Sequence, residues 1–206
     1  MTPLRPQNVA AASVRIAEAT AVARRPAGGR RARPGWLLTF AVSVGLCVAS
    51  SPAAATAETR ATVLRPLERS VLSDVNDLRR QHGFVPLRFS TGLTAAARHH
   101  STEMANRGYF HHSSAGGEAF SRRIARFYPI GGRRYWSLGE NLLWSTAELN
   151  AAATIDLWLN SPSHREIMLN ARWREVGVGA VYARSAPGVY GGRDVTIVTA
   201  DFGVRR

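Results

Sequence analysis

Leu67, Val71, Val75 and Leu78 recur every three or four positions between Pro66 and His82, the spacing of one helix face. Pro66 suits the first turn and Gly83 the stop. A second helix is expected from a Ser90 cap to about Arg107. It places Leu93, Ala96, Ala97, His100 and Met104 on one face, with Gly108 as terminator. Between Tyr109 and Ser137 the periodicity fails: Gly116, Gly117, Gly131 and Gly132 interrupt any long element and leave only a short apolar turn over Ile124 to Phe127. A third helix is expected from near Ser145, whose spacing to Glu148 is that of a capping box, to Asn160 through Leu149, Ala152, Ile155 and Leu159. Ser163 and Glu166 repeat the spacing and predict a short helix ending near Asn170.

Further along, the period changes to two. Val176, Val178, Ala180 and Tyr182 alternate, Val195 to Phe202 is β-branched or aromatic at most positions, and Ala186 to Arg193 carries Gly and Pro, which together predict a hairpin. Leu138 to Trp144 is a third strand. Helices grouped early and strands grouped late give an α+β class, not a doubly wound sheet.

The amino-terminal quarter reads differently. Residues 1–35 are rich in Arg, Ala, Pro and Gly, and Trp36 to Ala49 is an uncharged apolar run of 14 residues. A membrane-spanning helix needs roughly 20. With Ala55-Thr56-Ala57 following, the pattern is that of a secretory signal cleaved near residue 57, with residues 58–70 as a linker and 71–206 as the domain. Leu46 before Cys47 argues against lipid anchoring, and the residues after Arg30 and Arg31 fit a twin-arginine signal poorly. The domain is expected outside the cytoplasm, secreted or at the envelope, as a monomer with no membrane span.

Charge and cysteine content narrow the picture further. The formal charge is +13, all the basic residues are Arg, and seven Arg against Glu18 put six of those charges in the leader. The remaining positive surface can attract anionic lipid or envelope polymer. Arg122, Arg123, Arg126, Arg133 and Arg134, interleaved with Phe127, Tyr128 and Tyr135, could contact phosphates and stack bases, but no nucleic-acid motif accompanies them. Cys47, the single cysteine, falls in the leader, so the domain must hold by packing alone.

Three stretches place ligand-type side chains beside glycine or a helix start: Tyr109-Phe110-His111-His112-Ser113, Gly139-Glu140-Asn141 and Trp158 to Arg165 with Ser161-Pro162-Ser163-His164 inside it. His111 and His112 should face opposite ways, His100 should be a packing residue and His82 a capping one. In order along the chain, Leu78-Arg79 with Gly83 and Pro86-Leu87, Phe110-His111-His112, Gly139-Glu140-Asn141, Ser161 to Arg165, Gly177-Val178-Gly179 and Asp201-Phe202-Gly203 resemble the motifs of the CAP superfamily, the cysteine-rich secretory protein, antigen 5 and pathogenesis-related group, in its bacterial form. The resemblance spans Val71 to Gly203.

That resemblance implies an α-β-α sandwich around a central antiparallel sheet, with a cleft holding His112, His164 and Glu140. Many eukaryotic members carry a second glutamate where this chain has Ser161. Two neutral imidazoles and a carboxylate form a sensible first shell for Zn²⁺ or another divalent cation with one position left for water. With Glu140 used as a ligand, only Glu175 and Glu118 remain as bases for hydrolysis, and only if the fold brings them close. The same three residues could instead tie loop, strand and helix together. The expectation is a non-enzymatic binding domain with His112, Glu140, His164, Ser161 and Asn141 at its cleft, engaging a lipid, a peptide or an anionic polymer. The alternative is a metal-dependent hydrolase of peptidase type using the same residues.

Overall fold

The computed structural model describes residues 65–146 and 149–206, together with the backbone of 9–11 and 15–20. The apolar run, the Ala55–Ala57 motif and Glu148 of the expected capping box lie outside the described residues. Helix α1 is Pro66–Gln81, α2 Thr91–Arg107, α3 Phe120–Phe127, α4 Ala151–Leu159 and α5 Pro162–Met168. Strands β1 Val9–Ala11 and β2 Arg15–Thr20 come from the expected leader, followed by β3 Arg88–Phe89, β4 Tyr135–Ser145, β5 Glu175–Ala186 and β6 Arg193–Arg205.

The sheet of the domain runs β4-β6-β5-β3, with β1 and β2 antiparallel to β4. The β4–β6 and β5–β6 pairs are antiparallel, and the two-residue β3 pairs β5 in parallel, so the expected antiparallel sheet is mixed at one end. Alternation sorts the side chains. Val176, Val178, Ala180, Val198, Ala200, Phe202 and Leu143 pack with α1, α4 and α5 on one face around Trp158 and Trp173. Leu138 and Trp136 meet α2 and α3 through Leu93, Phe120 and Ile124 on the other, and Leu142, Val195 and Ile197 continue that face to Met104. This is the three-layer α-β-α arrangement, α+β in class.

Local chemistry sets the element ends. Glu68 Oε2 accepts from Arg65 N at 2.8 Å in the first turn of α1. The same buried carboxylate takes Arg98 from α2 and the Ala180 N–H of β5, fastening three elements. Ser90 caps α2, its Oγ accepting from Leu93 N at 3.3 Å. Gly108 ends that helix at φ 69°. Its carbonyl accepts from Val189 N at 2.9 Å, and Gly188, at φ 61°, lies so close that a Cβ there would sit 2.0 Å from that oxygen.

The third helix and the stretch before β4 also differ from expectation. The third helix begins at Ala151, not near Ser145: Asn150 is its cap, with Oδ1 accepting from Ala153 N at 2.9 Å, while Ser145 closes β4. Phe120–Phe127, where only a short turn is expected from the sequence, is a helix whose Phe120 and Ile124 enter the core. Among the described residues no helix is long and apolar enough to cross a membrane.

Candidate functional site

Glu140 lies in the middle of β4 and points, like Leu138 and Leu142, to the α2–α3 side. Its Oε1 accepts from His112 Nδ1 at 2.7 Å and its Oε2 receives the Arg123 guanidinium of α3. Arg123 Nη1 also donates to the His112 carbonyl at 2.7 Å. His100 Nε2 meets the His111 carbonyl at 3.0 Å, and the Tyr190 hydroxyl donates to the Tyr109 carbonyl at 2.8 Å. The segment Tyr109–His112, which has no regular structure of its own, is thus held at three points by buried side chains. His111 turns outward and His112 inward, His100 is fully buried, and His82 Nδ1 bonds the Leu78 carbonyl at 2.9 Å, all as expected from the sequence.

Electrostatics make this cluster unusual. Burial alone would raise the Glu140 pKa, but the Arg123 charge, the His112 hydrogen bond and the fields of His100 and His112 outweigh it and hold the pKa at about 2. Directly across the sheet from Glu140 is Asp201. Asp201 is fully buried, and neither carboxyl oxygen makes a hydrogen bond of ordinary geometry among the described residues. Burial first and the Glu140 charge second drive its pKa well above 3.8, the reverse of the shift at Glu140. Burial likewise lowers the His100 pKa from 6.5 to about 4, keeping that ring neutral.

His164 belongs to a second cluster. Asn141 points to the opposite face from Glu140, and its Nδ2 donates to the His164 carbonyl at 3.1 Å. Ser161, the N-cap of α5, places its Oγ 2.7 Å from His164 Nδ1, and Pro162 is the first helical residue, so the cap lies two residues earlier than the Ser163 spacing predicts. The structure therefore joins His112 to Glu140 on one side of β4, and His164 to Ser161 and Asn141 on the other. None of the three residues lines an open surface: His112, Glu140 and His164 are 3%, 0% and 1% exposed.

The donor set is a poor match for the three-ligand metal shell. One oxygen of Glu140 faces a guanidinium and the other an imidazole, and a fixed positive charge beside a ligand opposes a divalent cation. Among the described residues no group of three or more His, Cys, Asp or Glu side chains is arranged to hold a metal ion. Of the two further carboxylates, Glu175 accepts from the Tyr128 hydroxyl and lies near Arg205, and Glu118 pairs with Arg126 at 3.0 Å.

Sequence reasoning places Arg123 in a basic surface loop, whereas it is fully buried and is the counter-ion of the site. With Arg126 paired to Glu118 and Tyr128 buried, the stretch from Arg122 to Tyr135 does not form one phosphate-and-base surface. Asp201 is visible in the sequence only as a motif residue. Strand register, which no single stretch of sequence displays, is what sets it opposite Glu140.

Residues 72–202 match the model of the cysteine-rich secretory protein family, CAP. The chain is 31% identical over 143 residues to the uncharacterised protein YkwD of Bacillus subtilis strain 168, covering 66% of this chain and 53% of that protein. It is 29% identical over 112 residues to the uncharacterised membrane protein YlbC of the same organism, covering 54% of this chain and 31% of that one. It thus spans about half of the first relative and a third of the second. Among solved structures, an extracellular SCP-domain protein of Bacillus anthracis strain Ames superposes with a TM-score of 0.51 at 24% identity, over 70% of this chain and 45% of that one. An outer surface protein of Borrelia burgdorferi gives 0.51 at 19% identity, over 67% and 92%. These two likenesses are of fold.

Proposed function

Because the chain belongs to the cysteine-rich secretory protein (CAP) family, we propose that it acts outside the cytoplasm as a non-enzymatic binding domain. Its ligand is a lipid, a peptide or an anionic polymer of the envelope. In this reading the two buried clusters are scaffolds: His112–Glu140–Arg123 sets the loop after α2, Asn141–His164–Ser161 sets the start of α5, and the ligand meets the surfaces they hold. The extracellular and outer-surface descriptions of the Bacillus anthracis and Borrelia burgdorferi proteins support the location.

The observation that carries the reading is the state of Glu140. A general base works best with a pKa near the working pH. Glu140, held at about 2 with one oxygen on His112 and the other on Arg123, is a weak base. Asp201, fully enclosed, does not replace it. Peptide and ester libraries incubated with the chain are expected to show no turnover above that of a Glu140→Gln variant. Turnover by the unaltered chain that disappears in a folded Glu140→Gln variant, with folding checked by circular dichroism, overturns the reading in favour of a hydrolase.

A further inference from the structure

Away from both clusters, where β4 begins and β6 ends, a cavity of about 300 Å³ is lined by Arg172, Arg174, Arg205, Arg206 and Tyr135, and no acidic side chain lines it. Its walls are fixed by backbone. Tyr135 N donates to the Arg206 carbonyl at 2.7 Å, Arg206 N to the Tyr135 carbonyl at 3.1 Å, and Arg174 N to the Gly203 carbonyl at 3.1 Å.

The arginines are held in distinct ways. Arg205 is part of the framework: Nη1 donates to the Pro129 carbonyl at 3.1 Å, Nε lies 3.7 Å from Glu175 Oε2, and the guanidinium covers the Tyr128 ring. Arg174 Nη1 donates to the Ala171 and Trp173 carbonyls, both at 2.7 Å, which orients the fork without neutralising it. Arg206 lies over the Tyr135 ring, 4.8 Å from its centroid. Among the described residues no Asp or Glu carboxylate lies within ion-pair distance of Arg174 or Arg206. The crowding is felt inward: burial first and the Arg174 charge second lower the pKa of buried Arg79 to about 10.

We propose that this cavity is an anion site for a phosphate group, with Arg174 and Arg206 as its principal ligands. Forked guanidinium donors match the oxygens of a phosphate, and two such forks at one small cavity suit an anion with three or more acceptor oxygens. A lipid headgroup and a soluble phosphodiester share that chemistry, and the site does not depend on the His112–Glu140 reading.

The test uses the full chain in two arms: calorimetric titration with inorganic phosphate and polyphosphate, and co-sedimentation with phosphatidylglycerol vesicles against phosphatidylcholine ones. Arg174→Gln with Arg206→Gln is compared with Arg184→Gln, an exposed arginine at the far end of β5. Charge-assisted bonds of this kind predict a loss of about tenfold or more in affinity for the double variant and none for Arg184→Gln. Saturable binding in either arm that follows this pattern supports the site, and the arm that shows it names the source of the phosphate. No saturable binding in either arm, or an equal loss in Arg184→Gln, overturns it.

Discussion

Arg123 and Glu140 form an ion pair in which neither side chain reaches solvent, and the same guanidinium also holds the backbone of His112. Removing one member of such a pair leaves the other charged and enclosed. Arg123→Met is therefore expected to cost about 3–5 kcal/mol in urea unfolding. Arg123→Met combined with Glu140→Leu, which leaves no orphan charge, should cost clearly less than the sum of the single changes. Costs that simply add in the double variant would show that the pair is not coupled.

Acid stability should fall in two steps with different owners. Folding disfavours protonated His100, whose pKa is lowered from 6.5 to about 4 by burial and Arg123 against Glu140, Glu103 and the His111 carbonyl. The unfolded chain takes that proton first, so this loss develops between about pH 6.5 and 4. Glu140 stabilises the fold above its ordinary value of 4.5, and that contribution is lost as the pH falls towards about 2. Asp201, raised by burial and Glu140, has the opposite sign: it costs stability at neutral pH and the cost disappears on acidification. Urea midpoints measured from pH 7 to 3 should show the upper step flattened in His100→Gln. Asp201→Asn should raise stability at pH 7 by about 1 kcal/mol, its amide supplying a donor beside Glu140.

The Gly177-Val178-Gly179 motif has a steric reason. A Cβ on Gly177 would meet Thr94 N at 2.0 Å and Leu93 C at 2.2 Å, and one on Gly179 would meet Arg98 N at 2.2 Å. These are backbone atoms of α2, so the helix as a whole would have to lift. Gly177→Ala is expected to destabilise by more than about 3 kcal/mol, and the double alanine variant to lose the cooperative thermal transition. A cooperative melt in the double variant would refute this packing.

Zinc titrated into the chain is expected to give no saturable one-to-one binding, with the same heats in Glu140→Gln. Stoichiometric binding that vanishes in a His112→Ala, His164→Ala double variant would instead put both imidazoles on a metal and return the site to the three-ligand scheme.

Much of this is legible in the residues. The Ser90 cap, the Gly108 stop and the Ala186–Arg193 connection follow from short-range chemistry, and the structure bears them out. Helix α3 is not legible, because Arg123 occupies one of its buried positions and a charged side chain there erases the apolar stripe. The start of α4 is misplaced because Ser145 and Glu148 imitate a capping box while Asn150 makes the real cap. The site is half legible: the imidazoles and Glu140 stand out, but their division between two faces of β4, and the meeting with Asp201, depend on strand register and long-range packing.

The junction of Gly108 with Gly188 and Val189 bears on how this chain can be altered. Hairpin tips are usually where insertions, fusions and tags are tolerated best. Here the segment between β5 and β6 is clamped to the end of α2, so a lengthened tip would pull on the loop that carries His112. The turn at Gly83 to Pro86 is no freer: the Val85 carbonyl accepts from buried Arg79 Nε at 3.1 Å and Phe84 N donates to the Arg79 carbonyl at 2.9 Å, so an insertion at either turn would strain a helix end.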